Sequence, residues 1–253
     1  MRLLRTILPY SSIAILIAIW HFAVVWSNAI LIPGPLAVAE GILELARKGL
    51  LLKYIVASLF RVTWGYVLAV ITAIPLGLLL GWHRRGEKAL NPIIQIFRPI
   101  SPLAWIPISI LWFGVGDLAA IYLIYLASFL PLIVTAMNAV HNIDPVHLNA
   151  GRNFGLSQRQ LVLRVIYPAV MPQLIVGLRI ALGVAWLVVV AAEMIAVNSG
   201  LGFLIVDARN AGNRYDLVIA GMVLIGLTGL ILDTGMRQLE NLKALRWDTG
   251  ASR

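Results

Sequence analysis

The sequence predicts an all-α, polytopic transmembrane helical bundle of about six spans, and three observations carry that prediction. Hydrophobic residues make up 60% of the 253-residue chain and charged residues 12%, whereas soluble domains are roughly 45 to 50% apolar. Mean hydropathy is +0.91. The apolar residues gather into runs of about 20, the length at which a helix crosses a bilayer. Six such runs consume about 120 positions and leave only short connections, with no room for a soluble catalytic domain.

The first run extends from about Pro9 to Ile32 and ends at Pro33, Gly34 and Pro35. Arg2 and Arg5 precede it as in a signal peptide, but no clear small-residue cleavage site follows, so it reads as an uncleaved span. From Leu36 to about Tyr54, Glu40, Glu44, Arg47, Lys48 and Lys53 interrupt the hydrophobics. That pattern fits an amphipathic interfacial helix or a packed connector. The second span covers about Leu59 to Gly81, where Gly65, Gly77 and Gly81 offer small surfaces for close helix packing. Arg61 at its edge is expected to snorkel.

The third run, Ala89 to about Phe113, contains Pro92, Pro99, Pro102 and Pro107. Each proline removes a donor and disturbs the preceding turn, so this segment is expected to be bent or re-entrant. Gly114, Gly116 and Asp117 make a tight turn into the fourth span, Leu118 to about Val140, where Pro131 predicts a kink. After the polar stretch 141–165 comes a fifth span, about Pro168 to Val197, closed by Gly200 and Gly202. The sixth, Leu217 to about Leu232, leads into a charged helical tail.

The charge of +9, from 20 basic and 11 acidic residues, belongs to cytoplasmic loops rather than to nucleic-acid binding. Arg2 and Arg5, then Arg84, Arg85, Lys88 and Arg98 against Glu87, then Arg152, Arg159 and Arg164 against Asp144, alternate with loops that are acidic or balanced. This places both termini in the cytoplasm, the 36–54 connector being the one exception. There is no cysteine, and the four histidines are scattered. Neither a thiolate nucleophile nor a metal cluster is expected.

Two charged residues of the fifth span, Arg179 and Glu193, stand about 21 Å apart on an ideal helix and therefore need separate partners. Arg179 suits an inner interface. Glu193 cannot stay unpaired in hydrocarbon, which leaves either a pathway or gating role or a helix-locking hydrogen bond. Broken helices expose backbone beside protein-lined cavities, so Arg98, Ser101 and Trp105 are candidate pathway residues, with Trp186 and Asn198 beside them. Trp105 also fits an interface anchor. Asp117 reads as a solvated turn carboxylate or a docking point for an external protein.

Asn149, Ala150, Gly151, Arg152, Gly155, Arg159 and Pro168 lie in a stretch laid out as short helix, glycine turn and second short helix entering a span at proline. Leu161, Val162 and Val165 give the second helix an apolar side. Here the sequence resembles the permease subunits of ATP-binding-cassette importers. Their coupling loop has Glu-Ala-Ala, then Gly six residues after the Glu and Pro thirteen after that Gly. Asn149, Ala150, Gly151, Gly155 and Pro168 match that spacing, with Asn149 and Gly151 replacing two usual residues. Asn149 weakens an ion pair with the ATPase, and Gly151 is expected to loosen the first helix. The resemblance runs over roughly residues 33–247, through Ser58 to Arg61, Arg98 to Pro107, Leu111 to Gly116, Gly177 to Arg179, Ala181 to Trp186, Ala192, Glu193 and Gly200 to Gly202. These look like the nitrate, sulfonate and taurine group.

The resemblance implies a type I ABC-importer permease fold in a bacterial cytoplasmic (inner) membrane. It divides the chain into a first span and connector (1–58), a core permease domain (59–236) with a coupling loop (141–167), and a cytoplasmic tail (237–253). It implies a homodimer with a second permease copy, two cytoplasmic ATP-binding subunits, an external or periplasmic solute-binding protein and contact with membrane lipid. ATP and magnesium would belong to the ATPase subunits, since this chain has no Gly-Lys-Ser or Gly-Lys-Thr phosphate loop. The expected function is alternating-access import of a small anion, a sulfonate or taurine first, with nitrate, bicarbonate, cyanate or a vitamin precursor as alternatives. An ion-driven carrier would need Glu193 to cycle protons and would favour inverted repeats, of which the sequence has no convincing pair. A purely structural membrane subunit would tolerate loss of the cavity's polar groups.

Overall fold

The apolar runs fold into helices lying side by side, and the structure, a computed structural model, describes residues 2–27 and 32–240. In chain order the helices are α1 (Arg2–Ser27), α2 (Pro35–Arg47), α3 (Leu50–Trp82), α4 (Arg84–Phe97), α5 (Ile106–Phe113), α6 (Asp117–His141), α7 (Pro145–Asn153), α8 (Gln158–Leu161), α9 (Tyr167–Ala196), α10 (Leu201–Asn210) and α11 (Tyr215–Glu240). A 3-10 turn, Pro102–Trp105, precedes α5, and a π turn, Val162–Ile166, joins α8 to α9. No strand occurs among the described residues.

Among the described residues, four helical segments are long and apolar enough to cross a membrane: Leu50–Trp82, Asp117–His141, Gln158–Ala196 and Tyr215–Gln238. A fifth crossing is the pair Arg84–Phe97 and Pro102–Phe113, bent by 83°, as the four prolines of that run predict. The first expected span contributes a shorter apolar helix, Ser11–Trp26, within α1, and its end at 28–31 lies outside the described residues. The structure therefore carries four to five spans plus this shorter helix, where the sequence suggested about six.

Two boundaries moved. The stretch 36–54 is not one interfacial helix: α2 ends at Arg47, the chain turns through Lys48 and Gly49 (φ +69°), and α3 is already helical at Leu50. Val38, Gly41 and Leu45 on α2 are buried, with Gly41 against Leu217 of α11, so α2 is amphipathic and packed. Beyond Gly200, expected with Gly202 to close the fifth span, α10 forms. The tail from 241 onward lies outside the described residues.

The centre of the bundle is α3 against α6 and α9. Gly65, Ala69, Ala73, Gly77 and Gly81 recur every fourth residue on α3, all of them buried. A Cβ at Gly65 would stand 2.7 Å from Cβ of Ile124, and one at Gly77 would stand 2.6 Å from Cβ of Ala136. The repeat thus makes a smooth groove into which α6 lies at backbone distance, the packing that replaces hydrophobic drive inside lipid. Pro131 stays within a single helix α6.

Candidate functional site

At one end of the bundle the chain builds a helix-turn-helix from local signals. Asp144 Oδ1 accepts from the Val146 amide at 2.8 Å and Pro145 occupies the first turn, so α7 starts there. Gly155 adopts φ +72° and reverses the chain, a conformation costly for a side chain with Cβ. Ser157 and Gln160 then close a reciprocal capping box, the Ser157 amide donating to Gln160 Oε1 at 2.9 Å. The π turn stands immediately before Pro168, whose missing N–H leaves the carbonyl of Arg164 without its usual partner; wider turns absorb such breaks.

Gly151 does not act as a loosening residue. It is buried, and a Cβ there would lie 2.6 Å from Cδ1 of Leu161 and 3.3 Å from Cγ2 of Val165. Its missing side chain is the notch that seats α8 on α7, which offsets the roughly 1 kcal/mol that a helical glycine costs. The outer surface is left open: Asn149, Arg152, Arg159 and Arg164 are exposed, Ala150 is half-buried, and Phe154 is 86% exposed. Val162 is exposed rather than part of the buried apolar side, which consists of Leu161 with the half-buried Val165.

The opposite end is held by a buried charge cluster. Arg61 does not snorkel: it is 2% exposed, and Glu193 is fully buried. Arg61 Nη1 donates to Glu193 Oε1 and to the Ser199 carbonyl, both at 2.7 Å. Its Nε donates to Asp117 Oδ1 at 2.8 Å, and Nη2 reaches the Ser199 hydroxyl and Asp117 Oδ1. Glu193 Oε2 accepts from the Ser58 hydroxyl at 2.8 Å and the Gly202 amide at 3.0 Å, while Ser58 Oγ accepts from the Leu201 amide. All five guanidinium donors are satisfied and α3, α6, α9 and α10 are tied together. Such a pair repays its desolvation only when fully hydrogen-bonded, as here. Gly200, at φ +106°, has room for no Cβ because the Glu193 carboxylate fills that space.

Glu193 therefore has the geometry of a helix-locking group and presents no open surface. Sequence reasoning missed Arg61, Ser58 and Ser199 as members of this cluster; Asp117, expected to be a solvated turn carboxylate or a docking point, is exposed and also bonded to Arg61. The available signal was that an arginine and a glutamate in different apolar runs each require a partner. Arg179, as anticipated, pairs elsewhere, with Asp233 of α11 at 2.7 Å.

The proline-broken segment forms one wall of a cavity of about 390 Å³. Arg98, Ile100 and Pro102 face Pro131, Thr135 and Asn138 of α6, with Val184 of α9 beside them. Ser101 instead caps the 3-10 turn, accepting from the Leu103 amide at 3.3 Å. Trp105 stacks on Phe97 with centroids 5.9 Å apart. Trp186 is buried and donates to the Ile225 carbonyl at 3.2 Å, so it packs α9 on α11; Asn198 is exposed beside the charge cluster. Of the pathway candidates, Arg98 alone lines this cavity.

Outside the spans, Arg214 Nη2 donates to Glu44 Oε2 and Lys48 Nζ to Glu44 Oε1, both at 2.6 Å. The Arg214 hydrogen bond, with Lys48 second, pulls the Glu44 carboxyl down to about 2, and Asp216 and Glu44 push Arg214 upward. This pairing ties α2 to the start of α11.

Comparison with known proteins agrees with this architecture. Residues 73–243 match the family described as binding-protein-dependent transport system inner membrane component. A taurine transport system permease protein of Escherichia coli is 35% identical over 247 residues, covering 92% of this chain and 87% of that protein. A nitrate import permease protein of Synechococcus elongatus is 36% identical over 244 residues, covering 91% and 87%. In fold, the chain superposes on a chain of the inward-facing MetNI methionine ABC transporter with a TM-score of 0.68 at 20% identity, over 79% of this chain and 98% of that one. The chain belongs to the binding-protein-dependent transport system inner membrane components, as a multi-pass ABC importer permease of the taurine, sulfonate and nitrate group.

Proposed function

We propose that this chain is the conduit of an ATP-driven importer of a small oxyanion, a sulfonate of the taurine type first, working as a homodimer. In this reading both termini and the α7–α8 loop face the cytoplasm. Two ATP-binding subunits, which hold ATP and magnesium, dock on the loop, and an external solute-binding protein delivers the substrate. The observation that carries the reading is the loop: Gly151 and Leu161 make α7 and α8 one rigid body, while Phe154, Arg152 and Arg159 stay exposed. A rigid helix pair with an exposed aromatic anchor suits a groove on a partner. Motion of the ATPases would then pass through the π turn into α9. Arg98 on the cavity wall supports an anionic cargo, and a named taurine permease among the relatives supports a sulfonate.

The chain performs no covalent step; coupling requires only that the loop contact the ATPase differently in two states. The test is uptake into vesicles containing the permease, its ATPase and its binding protein. Taurine, an alkanesulfonate and nitrate are compared with and without hydrolysable ATP, using intact and disrupted 149–168 loops. ATP-dependent accumulation of the sulfonates that disappears with the loop, while the complex still assembles, is the expected result. Accumulation driven by a proton gradient without ATP would overturn the reading.

A further inference from the structure

A second cavity, of about 610 Å³, opens at the loop end between the α3–α4 turn and the α6–α7 turn. Arg84 and Lys88 line it from the start of α4, and Arg152 lines it from the last turn of α7. All three are exposed, and none forms an ion pair among the described residues. The one acid on the wall, Glu87, lies 3.2 Å from His141 Nε2. Trp82 and Leu148 supply the apolar part of the lining.

Three cations on two separate elements around one concavity repel one another; against them stands one carboxylate, Glu87, and none of the three is ion-paired among the described residues. Guanidinium forks match oxyanion geometry in two-point contacts and an ammonium adds a point charge. The volume falls within the range of small-molecule sites. Trp82, at the last residue of α3, is the kind of side chain that marks headgroup level, and basic pockets between helices on the cytoplasmic side hold anionic headgroups.

We infer that this pocket binds a tetrahedral oxyanion, the chemistry shared by a lipid phosphodiester headgroup and a free phosphate or sulfonate. The bound anion bridges α4 to α7, and so holds the helix that carries Arg152 and the Gly151 notch against the bundle. Placing the pocket on the cytoplasmic side rests on the orientation proposed above; the site itself rests on the cavity and its cations.

The permease is purified with its ATPase and placed in nanodiscs of phosphatidylcholine alone or with phosphatidylglycerol. Retained lipid is read by native mass spectrometry and thermal stability is followed on titration with inorganic phosphate. The protein carrying Arg84→Gln, Lys88→Gln and Arg152→Gln is compared with the parent and with Arg85→Gln, a neighbouring cation that does not line the pocket. The single change Lys88→Glu serves if the triple variant fails to fold. Phosphatidylglycerol retention that falls about tenfold in the pocket variants only identifies a lipid source, and a phosphate-induced stabilisation lost in them identifies a free one. If parent and pocket variants bind both probes equally, the inference is wrong. It is also wrong if the variants lose only the ATPase, since the cations then serve that protein. Parent complexes that bind either probe in nanodiscs yet fail to import when reconstituted with the binding protein in sealed vesicles of the same lipids would sink the importer reading and leave the site standing.

Discussion

The two ends of the bundle are built on opposite principles. At the end holding Arg61 and Glu193, residues 132 positions apart in sequence meet at 2.7 Å in a place closed to water. At the other end, α7 and α8 are shaped by residues within a few positions of one another: Asp144 capping, Gly155 turning, Ser157 and Gln160 boxing. The first end spends its polar groups inward, on joining four helices. The second satisfies its backbone locally and keeps its long side chains outward. A charged residue in a span is thus a joint when every hydrogen bond is internal, whereas the α7–α8 end combines local order with exposed long side chains.

The largest test of that contrast is Arg61→Leu. It strands the Glu193 charge in the interior, and losing one partner of a buried pair costs about 3–5 kcal/mol. We expect loss of folded protein in detergent, read by size-exclusion fluorescence, and partial recovery in the Arg61→Leu, Glu193→Gln double variant. Equal stability of parent and single variant would show that the cluster does not hold the end together. Next comes Gly151→Ala at the loop. Leu161 is 1% exposed and must give way to the new methyl, at a cost of about 1–3 kcal/mol of overpacking; Leu161→Val in the same chain should recover most of it in a melting experiment.

A smaller effect is expected where α2 meets α11. The Arg214 hydrogen bond holds the folded Glu44 carboxyl down to about 2, below the ordinary carboxylate value of 4.5, so its pairing stabilises fully above the unfolded value and is lost as pH falls from about 4.5 towards 2. Both partners are partly exposed, so the change is modest and salt-sensitive. Lower amide protection in α2 at pH 3 than at pH 5, once the intrinsic pH dependence of exchange is divided out, with α3 and α6 unaffected, is the predicted readout. The smallest stability change belongs to Phe154→Ala. At 86% exposure it should leave stability within about 0.5 kcal/mol yet lower ATP-dependent uptake. Unchanged uptake would remove Phe154 from the docking surface and narrow it to the arginines.

Much of this was legible in the sequence because its cause is local. The composition and runs of apolar residues specify a helical membrane bundle, the four prolines specify a broken crossing, and the spacing from Asn149 to Pro168 specifies the helix-turn-helix. Arg179 and Glu193 were separable because helix rise alone keeps them about 21 Å apart. The errors share a different cause. Arg61 was read as a snorkelling edge residue, since its span was begun nine residues late, at Leu59 instead of Leu50. Gly151 was judged by helix propensity when its neighbour across the turn, Leu161, decides its role.

The sequence by itself determined that the chain is a bundle of apolar helices, where the third run breaks and where the helix-turn-helix lies. Those properties depend on hydrophobic length, missing backbone donors and caps, each confined to a turn or a run. Only the tertiary structure decided that Glu193 is held by Arg61 and Ser58, that a groove of small residues on α3 receives α6, and that Arg84, Lys88 and Arg152 surround one cavity. These are meetings between helices far apart in the chain, and their partners are fixed by which faces the packing turns toward each other.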